Sequence, residues 1–177
     1  MKKSDRMDSY SKSKLFKGKN IGVYKNEVDS KMYLYGPVGD LFGEDCITAK
    51  GVKEALKDFD SNSIDVHIHS YGGDAFEGIA VYNILKQSTK TINVYIDGMA
   101  ASAASIIAMA GDKTFMPKNT QFMIHNASTG RFGNSKDFEK VQRQLESTNQ
   151  SLIETYLASF NGSKKELIQF MDDEKFF

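Results

Sequence analysis

The chain has 177 residues, of which 40% are hydrophobic and 26% are charged, and its formal net charge is zero. This length suits one domain with a substantial core, and the composition excludes a disordered chain or a membrane protein. Without net positive charge, the chain lacks the long-range attraction on which non-specific nucleic-acid binding depends, so no nucleic-acid partner is expected.

The first segment, residues 1–19, is rich in Lys, Ser and Asp and poor in apolar side chains. It cannot bury enough surface to offset its ordering entropy, so we expect a flexible polar tail followed by a single domain over residues 20–177. The tail lacks the apolar core of a secretory signal, and no stretch approaches the roughly 20 apolar residues of a membrane span. These features, with the single cysteine Cys46, predict a cytoplasmic protein without a membrane partner.

Apolar runs and amphipathic segments alternate along the rest of the chain. Strands are predicted at residues 21–24, 32–35, 64–69, 91–96, 114–116 and 121–124, and helices at 45–59, 74–87, 100–110, 137–160 and 163–171. Strands separated by helices favour a parallel sheet that is covered on its faces. The expected fold class is therefore α/β.

The predicted helix over residues 137–160 carries an apolar stripe that Thr148 and Asn149 interrupt. The stripe consists of Phe138, Val141, Leu145, Leu152, Tyr156 and Phe160. A helix of about 24 residues is roughly 36 Å long at about 1.5 Å per residue, which is long for a small domain. Two interpretations stay open: the stripe packs on its own sheet, or the helix overhangs the domain and contacts another subunit.

A run of small residues surrounds Ser102, where a strand is predicted to pass into a helix. The run reads Gly98-Met99-Ala100-Ala101-Ser102-Ala103-Ala104-Ser105. A serine at such a turn exposes its hydroxyl at the carboxyl edge of the sheet, near the positive end of a helix dipole, which suits a nucleophile whose reaction generates an oxyanion. Taken alone, the segment is more typical of a tightly packed Ala/Ser helix with Ser102 as its N-cap than of a nucleophile.

Two further features change that balance. The Gly72-Gly73 pair follows the predicted strand 64–69 and frees backbone amides at the same sheet edge, although any tight turn after a strand uses such glycines. His125 ends another predicted strand, where an imidazole can accept a serine proton near neutral pH and return it to a leaving amine. A lone histidine in this position is more often structural, so the three features carry weight only together.

Two other histidines and an acidic cluster complete the set of candidate groups. His67 and His69 share one face of a predicted strand, but without an HExxH motif, a nearby cysteine pair or a third ligand they favour structural roles over a metal site. A triad also needs an acid, and the cluster Asp172-Asp173-Glu174 is the best positional candidate, although such clusters are usually solvated helix ends. Periodicity does not select one of its three carboxylates.

Six short motifs stand in an order and spacing that one family shares. They are Tyr35-Gly36, Ser70-Tyr71-Gly72-Gly73-Asp74, Val81-Tyr82-Asn83, Ala101-Ser102-Ala103-Ala104-Ser105, Met109-Ala110-Gly111-Asp112 and Met123-Ile124-His125-Asn126. In these motifs the chain resembles ClpP-type proteases, and most closely the ClpP-like head maturation proteases of phages and prophages. The resemblance covers the chain from about residue 32 to the end.

The resemblance implies a ClpP/crotonase-type fold of stacked ββα units with a long protruding helix. It also implies a homo-oligomeric ring that encloses the active sites. By the same resemblance, Ser102 is the nucleophile, His125 is the general base, and the backbone amides of Gly73 and Ala103 form the oxyanion hole. No metal or organic cofactor is implied.

The resemblance assigns the acid through a short pattern. Glu174 precedes Lys175 and Phe176, as the family's acid precedes a basic or small polar residue and an aromatic residue. Asp173 is the alternative, because many relatives use aspartate and a shift of one residue would select it. Family members usually continue beyond this pattern, so a truncated C-terminus and a weakly held acid belong to the expectation.

The implied function is a serine endopeptidase that processes capsid or scaffold proteins during phage head maturation. Within the same chemistry, the alternative is a housekeeping proteolytic subunit that works with an ATP-dependent unfoldase, since the chain has no GxxxxGK[ST] nucleotide motif of its own. Two alternatives lie outside this chemistry. One is a crotonase-like acyl-CoA enzyme, against which Ser102 and His125 argue, and the other is a catalytically weak, ring-forming structural subunit.

Overall fold

A computed structural model describes residues 22–40 and 46–177. The predicted tail and the first residues of the strand at 21–24 and of the helix at 45–59 lie outside these ranges. The elements are β1 (Val23–Asn26), β2 (Lys31–Tyr35), α1 (Ala49–Lys57), β3 (Ser63–Ser70), α2 (Ala75–Lys86), β4 (Thr91–Ala101), α3 (Ala103–Ala108), β5 (Lys113–Phe115), β6 (Gln121–Met123), α4 (Ser135–Leu157) and α5 (Lys164–Asp172). This arrangement confirms the predicted α/β class.

The strands form one mixed sheet. Its order is β1-β2-β3-β4-β5, and β6 pairs with the second half of β4. β1 is antiparallel to β2, whereas the other neighbouring pairs are parallel. Parallel strands end at the same edge of a sheet, so the last residues of β3, β4 and β6, which are Ser70, Ala101 and Met123, lie along one carboxyl edge.

Two predicted helices are wrong in their first turn. In the helix predicted at 45–59, residues 46–48 are not helical and Ile47 instead forms a bridge with Val38. The other prediction began a helix at Ala100, but β4 continues through Ala101 and α3 begins only at Ala103. The reason is a long-range pairing, because Ala100 and Ala101 lie opposite Phe122 and Met123 of β6. Small residues fit a strand as readily as a helix, and this pairing decides between the two.

Side-chain caps set where the other helices begin. The N-caps of α1, α2, α4 and α5 are Thr48, Asp74, Asn134 and Ser163, and each side chain accepts a hydrogen bond from an amide of the first turn. Such caps satisfy amides that have no partner within the helix. None of the helices in the described ranges has the length and apolar character that crossing a bilayer requires.

Two hydrophobic clusters hold the helices to the sheet. In the larger, inward side chains of β2, β3 and β4, such as Ile64, Val66 and Ile68, pack against α1, α2 and α3. The smaller cluster packs α4 and α5 against Ile106 of α3. α3 therefore joins the clusters, since its next residue, Ile107, belongs to the larger one.

The long helix α4 is buried mainly in its C-terminal half. Leu152, Ile153 and Tyr156 are each less than a tenth exposed and belong to the smaller cluster. Near its N-terminus Phe138 is 53% exposed. The C-terminal half of the stripe therefore packs within the chain, but mainly against α3 and α5 rather than on the sheet as the first interpretation had it.

Candidate active site

Ser102 forms the sharp turn between β4 and α3. Its backbone has φ 54° and ψ −126°, a combination that residues with a side chain rarely adopt. Its amide donates to the carbonyl of Met123 at 3.0 Å, and its side chain makes no capping hydrogen bond to α3. Ser102 therefore stands at the N-cap position, but its hydroxyl does not cap the helix and can serve another partner.

That partner is His125, which follows β6. Its Nε2 atom lies 2.7 Å from Oγ of Ser102. The contact follows from strand register, because Ala101 lies opposite Met123 and both strands end there. At this distance a neutral imidazole can accept a hydrogen bond from the serine hydroxyl, which is the geometry that nucleophile activation needs. The structure thus brings together two residues that the sequence places 23 positions apart.

The turn after β3 aims the amide of Gly73 at the same place. Gly72 accepts through its carbonyl from the Val38 amide at 2.9 Å, and the Asp74 amide donates to the Val38 carbonyl at 2.8 Å. The Gly72 carbonyl and the Gly73 N–H belong to one planar trans peptide and point in opposite directions, so the Gly73 amide points away from Val38. A Cβ at Gly73 would lie only 2.1 Å from the Val38 carbonyl oxygen, so this approach requires glycine.

The second predicted oxyanion donor, Ala103, is the first residue of α3. Amides in the first turn of a helix have no partner within the helix and face its N-terminal end. Ala103, Gly73, Ser102 and His125 all line one cavity of about 590 Å³. The four residues predicted for nucleophile, base and oxyanion hole therefore share a single site.

The cavity continues from these groups into an apolar region. Phe76 of α2, Ile106 of α3 and Leu145 and Leu152 of α4 line it. A peptide side chain with apolar character would gain binding energy from such walls. The cavity therefore offers an apolar wall beside the hydroxyl of Ser102.

The C-terminal segment lies against the strand that carries His125. The Ile124 amide donates to the Lys175 carbonyl at 3.1 Å, and Met123 and Phe176 form an antiparallel bridge. This pairing brings Glu174 close to His125 in the strand register. Glu174 has φ 48° and an exposed side chain.

The structure does not join an acid of the cluster to His125. Asp172 accepts instead from Nδ2 of Asn126 at 2.7 Å, and Asp173 accepts from Nε2 of Gln169 at 3.0 Å. Across the part of the chain that the structure describes, His125 has its side-chain hydrogen bond with Ser102 and none with a carboxylate. The third member of the predicted triad therefore stays a prediction.

The other two histidines lie on the outer face of the sheet. His67 stacks between Tyr33 and Tyr95, with ring centroids 4.8 and 4.9 Å away, and its Nδ1 lies 3.0 Å from Asp97. His69 packs edge-on against a neighbouring tyrosine of β2. These contacts give both side chains structural roles beside the sheet.

Two site residues were missed by sequence reasoning. Ser105 and Tyr156 are buried beneath Ser102, and their hydroxyl oxygens lie 2.7 Å apart. The available signal was the tyrosine itself, because a phenol in the apolar stripe of a helix needs a hydrogen-bond partner when it is buried. Its partner lies 51 residues away in the sequence.

A sequence model of the family described as Clp protease matches residues 24–177. The chain belongs to the Clp protease family. Three relatives, each named ATP-dependent Clp protease proteolytic subunit, illustrate the similarity. The protein of Deinococcus radiodurans is 28% identical over 115 residues, which are 64% of this chain and 56% of the relative.

The other two relatives give similar values. The protein of Bacteroides fragilis is 29% identical over 126 residues, or 67% of this chain and 60% of the relative. The protein of Ligilactobacillus salivarius is 33% identical over 107 residues, or 59% and 54%. The chain thus spans between 54% and 60% of the length of these Clp protease subunits.

These similarities confirm the ClpP-like family. They do not support the finer resemblance to head maturation proteases, since the relatives carry the name of the ATP-dependent protease instead. The predicted cytoplasmic location stays a prediction.

Proposed function

We propose that this Clp protease family member is a serine endopeptidase subunit with Ser102 as nucleophile and His125 as general base. The observation that carries the proposal is the distance of 2.7 Å between Nε2 of His125 and Oγ of Ser102, in a cavity that both residues line. An activated serine requires a base within hydrogen-bond reach, and this pair meets that requirement.

In the proposed reaction, His125 takes the hydroxyl proton while Oγ of Ser102 attacks the carbonyl carbon of a peptide. The amides of Gly73 and Ala103 stabilise the negative charge on the carbonyl oxygen. His125 then gives its proton to the leaving amine, and an acyl-enzyme remains on Ser102. A water molecule, deprotonated by His125, hydrolyses that ester and restores the serine. The residues themselves supply each proton transfer, so the reaction needs no cofactor.

Glu174 is proposed to orient His125 and to stabilise its protonated form, with Asp173 as the alternative. Two features support Glu174. Its neighbour Lys175 pairs with Ile124 through the backbone, and its side chain is free to turn because it is exposed. A carboxylate in this role fixes the tautomer of the base, which leaves Nε2 to face the nucleophile.

For the biological role, we favour a proteolytic subunit that forms a homo-oligomeric ring and works with an ATP-dependent unfoldase. The names of the relatives favour this role over the processing of capsid or scaffold proteins. Its substrates would be unfolded polypeptides. The test compares digestion of an unfolded protein with that of a phage capsid protein. Cleavage of the unfolded protein at many sites supports this role, and cleavage of the capsid protein alone at one or two sites favours head maturation.

The chemistry is tested by mass spectrometry after treatment with a fluorophosphonate. Wild type is compared with Ser102→Ala and His125→Ala. Ser128→Ala and His69→Ala are matched controls, because Ser128 lines the same cavity and His69 lies on the far side of the sheet. We expect a single adduct on Ser102, lost in Ser102→Ala, weakened in His125→Ala and unchanged in both controls.

Two results would count against the proposal. A folded, assembled protein that takes up no fluorophosphonate would favour a ring-forming structural subunit. Binding of an acyl-CoA without labelling would favour the crotonase-like alternative. Circular dichroism and sedimentation of the same samples separate these results from misfolding.

A further inference from the structure

Two buried hydroxyl groups connect α4 to the backbone of Ser102. The Oγ atom of Ser105 lies 2.6 Å from the carbonyl oxygen of Ser102, and the phenol oxygen of Tyr156 lies 2.7 Å from the same Oγ. Ser105 is fully buried and Tyr156 is 3% exposed. Water therefore does not compete for these hydrogen bonds.

The direction of both hydrogen bonds follows from the chemistry of the groups. The carbonyl of Ser102 only accepts, so the single hydroxyl proton of Ser105 is donated to it. Tyr156 must then donate its own proton to Ser105. Burial raises the pKa of the Tyr156 phenol, because a phenolate in this place would lose its hydration, so the phenol keeps its proton.

The carbonyl that receives this chain of hydrogen bonds belongs to a strained residue. With φ 54° and ψ −126°, Ser102 keeps its conformation only if its surroundings hold it there. Its amide is held by Met123, and its carbonyl also accepts from the Ser105 amide at 2.9 Å. The Ile106 amide also donates to this oxygen, at 3.4 Å. The hydroxyl of Ser105 adds a further restraint on it, and Tyr156 fixes the orientation of that hydroxyl.

The restrained carbonyl shares a peptide plane with the proposed oxyanion donor. The C=O of Ser102 and the N–H of Ala103 belong to one planar peptide unit and point in opposite directions. Fixing the carbonyl on its buried side therefore fixes the amide that faces the cavity. Hydrogen bonds to the carbonyl oxygen also polarise the peptide unit, which strengthens its N–H as a donor.

We propose that Ser105 and Tyr156 are positioning residues, which orient the peptide between Ser102 and Ala103 so that the Ala103 amide faces the developing oxyanion. This inference rests on the proposed peptidase function, since it assigns Ala103 a role in that reaction. Neither residue touches the substrate carbonyl; both act through the backbone of the nucleophile.

The test uses three variants, Ser105→Ala, Tyr156→Phe and the double variant. Each is compared with wild type in the second-order rate constant of fluorophosphonate labelling at Ser102, in the melting temperature and in the pH profile of labelling. Tyr82→Phe is the control, because Tyr82 packs against both hydrophobic clusters and has no side-chain hydrogen bond among the described residues. A further readout is kcat/KM for a peptide ester.

The melting temperature and the labelling rate should not change in parallel in these variants. Ser105→Ala leaves the Tyr156 phenol buried without a partner, so it should have the lowest melting temperature. The double variant removes both polar groups and should recover most of that loss. Its labelling rate should stay lowered about threefold to tenfold, the range that one hydrogen bond accounts for, and should match that of Ser105→Ala.

The pH profile should keep its shape in all variants, because His125 remains the base. If the labelling rate of the double variant recovers together with its melting temperature, the two hydroxyls only fill the core and the inference is overturned. Equal rates in all variants would overturn it as well. A wild type that is not labelled would overturn both the proposed function and this inference, whereas a labelled wild type with an equally reactive double variant would overturn the inference alone.

Discussion

The side-chain amide of Asn126, the residue after His125, donates a hydrogen bond of 2.7 Å to Asp172. Asp173 also has a hydrogen-bond partner, since its carboxylate accepts from the side chain of Gln169, one helical turn earlier, at 3.0 Å. Glu174 is the member of the cluster whose carboxylate has no side-chain hydrogen bond among the described residues. The contacts of its neighbours thus leave Glu174 available to serve as the acid beside His125.

Glu174→Gln is expected to lower kcat/KM for a peptide substrate at least about tenfold, because an unassisted imidazole loses its preferred tautomer and the stabilisation of its protonated form. The loss should appear in kcat rather than in KM, since the carboxylate acts on the base and not on the bound peptide. Steady-state kinetics on the assembled protein measures both constants.

Asp172→Asn and Asp173→Asn are the matched controls for that variant. Each removes one charge from the same cluster, and each should keep kcat/KM within about threefold of wild type. A large loss in Asp173→Asn with an active Glu174→Gln would transfer the role to Asp173. Equal activity in all three variants would mean that the site works without an acid from this cluster.

Local patterns predicted some of the elements that carry the site. The pattern of apolar residues placed β3 and α2 to within one residue at each end. The same patterns failed at residues 100–102, where alanines suit either element and pairing with β6 extends the strand. At such positions the secondary structure depends on contacts between distant segments, which a local sequence pattern does not show.

The candidate site, too, was predicted only in part. Ser102 and His125 were assigned by the resemblance in their motifs, and the expected ends of parallel strands at one edge supported that assignment. The hydrogen bond from Tyr156 to Ser105 was not predicted, because it depends on how α4 crosses α3. The acid stayed ambiguous since three adjacent carboxylates differ only in their side-chain partners, which the sequence does not show.

Gly72→Ala should disturb the turn that carries Ser102, the proposed nucleophile. A Cβ at Gly72 would lie 2.6 Å from the carbonyl oxygen of Ala101 and 2.7 Å from Cβ of Ser102, and φ there is +92°. A displacement near 1 Å at a reacting group costs about a hundredfold in rate, so we expect a loss of that size in kcat/KM. The strained backbone should also lower the free energy of unfolding by more than about 1 kcal/mol.

Gly130→Ala is the control for this variant, because a Cβ at Gly130 meets nothing within 4 Å. Its activity and stability should equal those of wild type. If Gly72→Ala folds and keeps full activity, the turn tolerates the displacement. The close packing of Gly72 against Ser102 would then not be required for activity.

Ile107→Ala should destabilise the fold strongly. Ile107 is fully buried in the larger cluster, on the helix that joins both clusters. Replacing such a side chain with alanine leaves a cavity and costs about 2–5 kcal/mol in the free energy of unfolding. Urea denaturation at one fixed protein concentration measures it, since assembly adds to the apparent stability.

Ile168→Ala serves for comparison, because Ile168 of α5 is 37% exposed. Its cost should stay within about 1 kcal/mol. Similar losses in the two variants would show that α3 is less tightly packed than its burial indicates.

The start of α5 should make a pH-dependent contribution to stability. The Glu166 carboxylate accepts from the Ser163 amide at 2.9 Å and from the Ser163 hydroxyl at 2.8 Å. Both hydrogen bonds lower the pKa of Glu166 below its usual 4.5, and the bond from the Ser163 backbone has the larger effect. Because the pKa is lower in the folded state than in the unfolded state, the contribution is complete above the unfolded value.

Glu166→Gln keeps the shape of the capping side chain and removes its charge, so it isolates this contribution. The variant should be slightly less stable than wild type at pH 7. The difference should shrink as the pH falls below about 4.5 and vanish once Glu166 is protonated in the folded state too. Urea denaturation of both proteins across this range measures the difference, and Glu54→Gln controls for the loss of an exposed carboxylate within a helix. A difference that stays constant or grows on acidification would contradict the prediction, since the ionised carboxylate would then not be the group that stabilises the end of the helix.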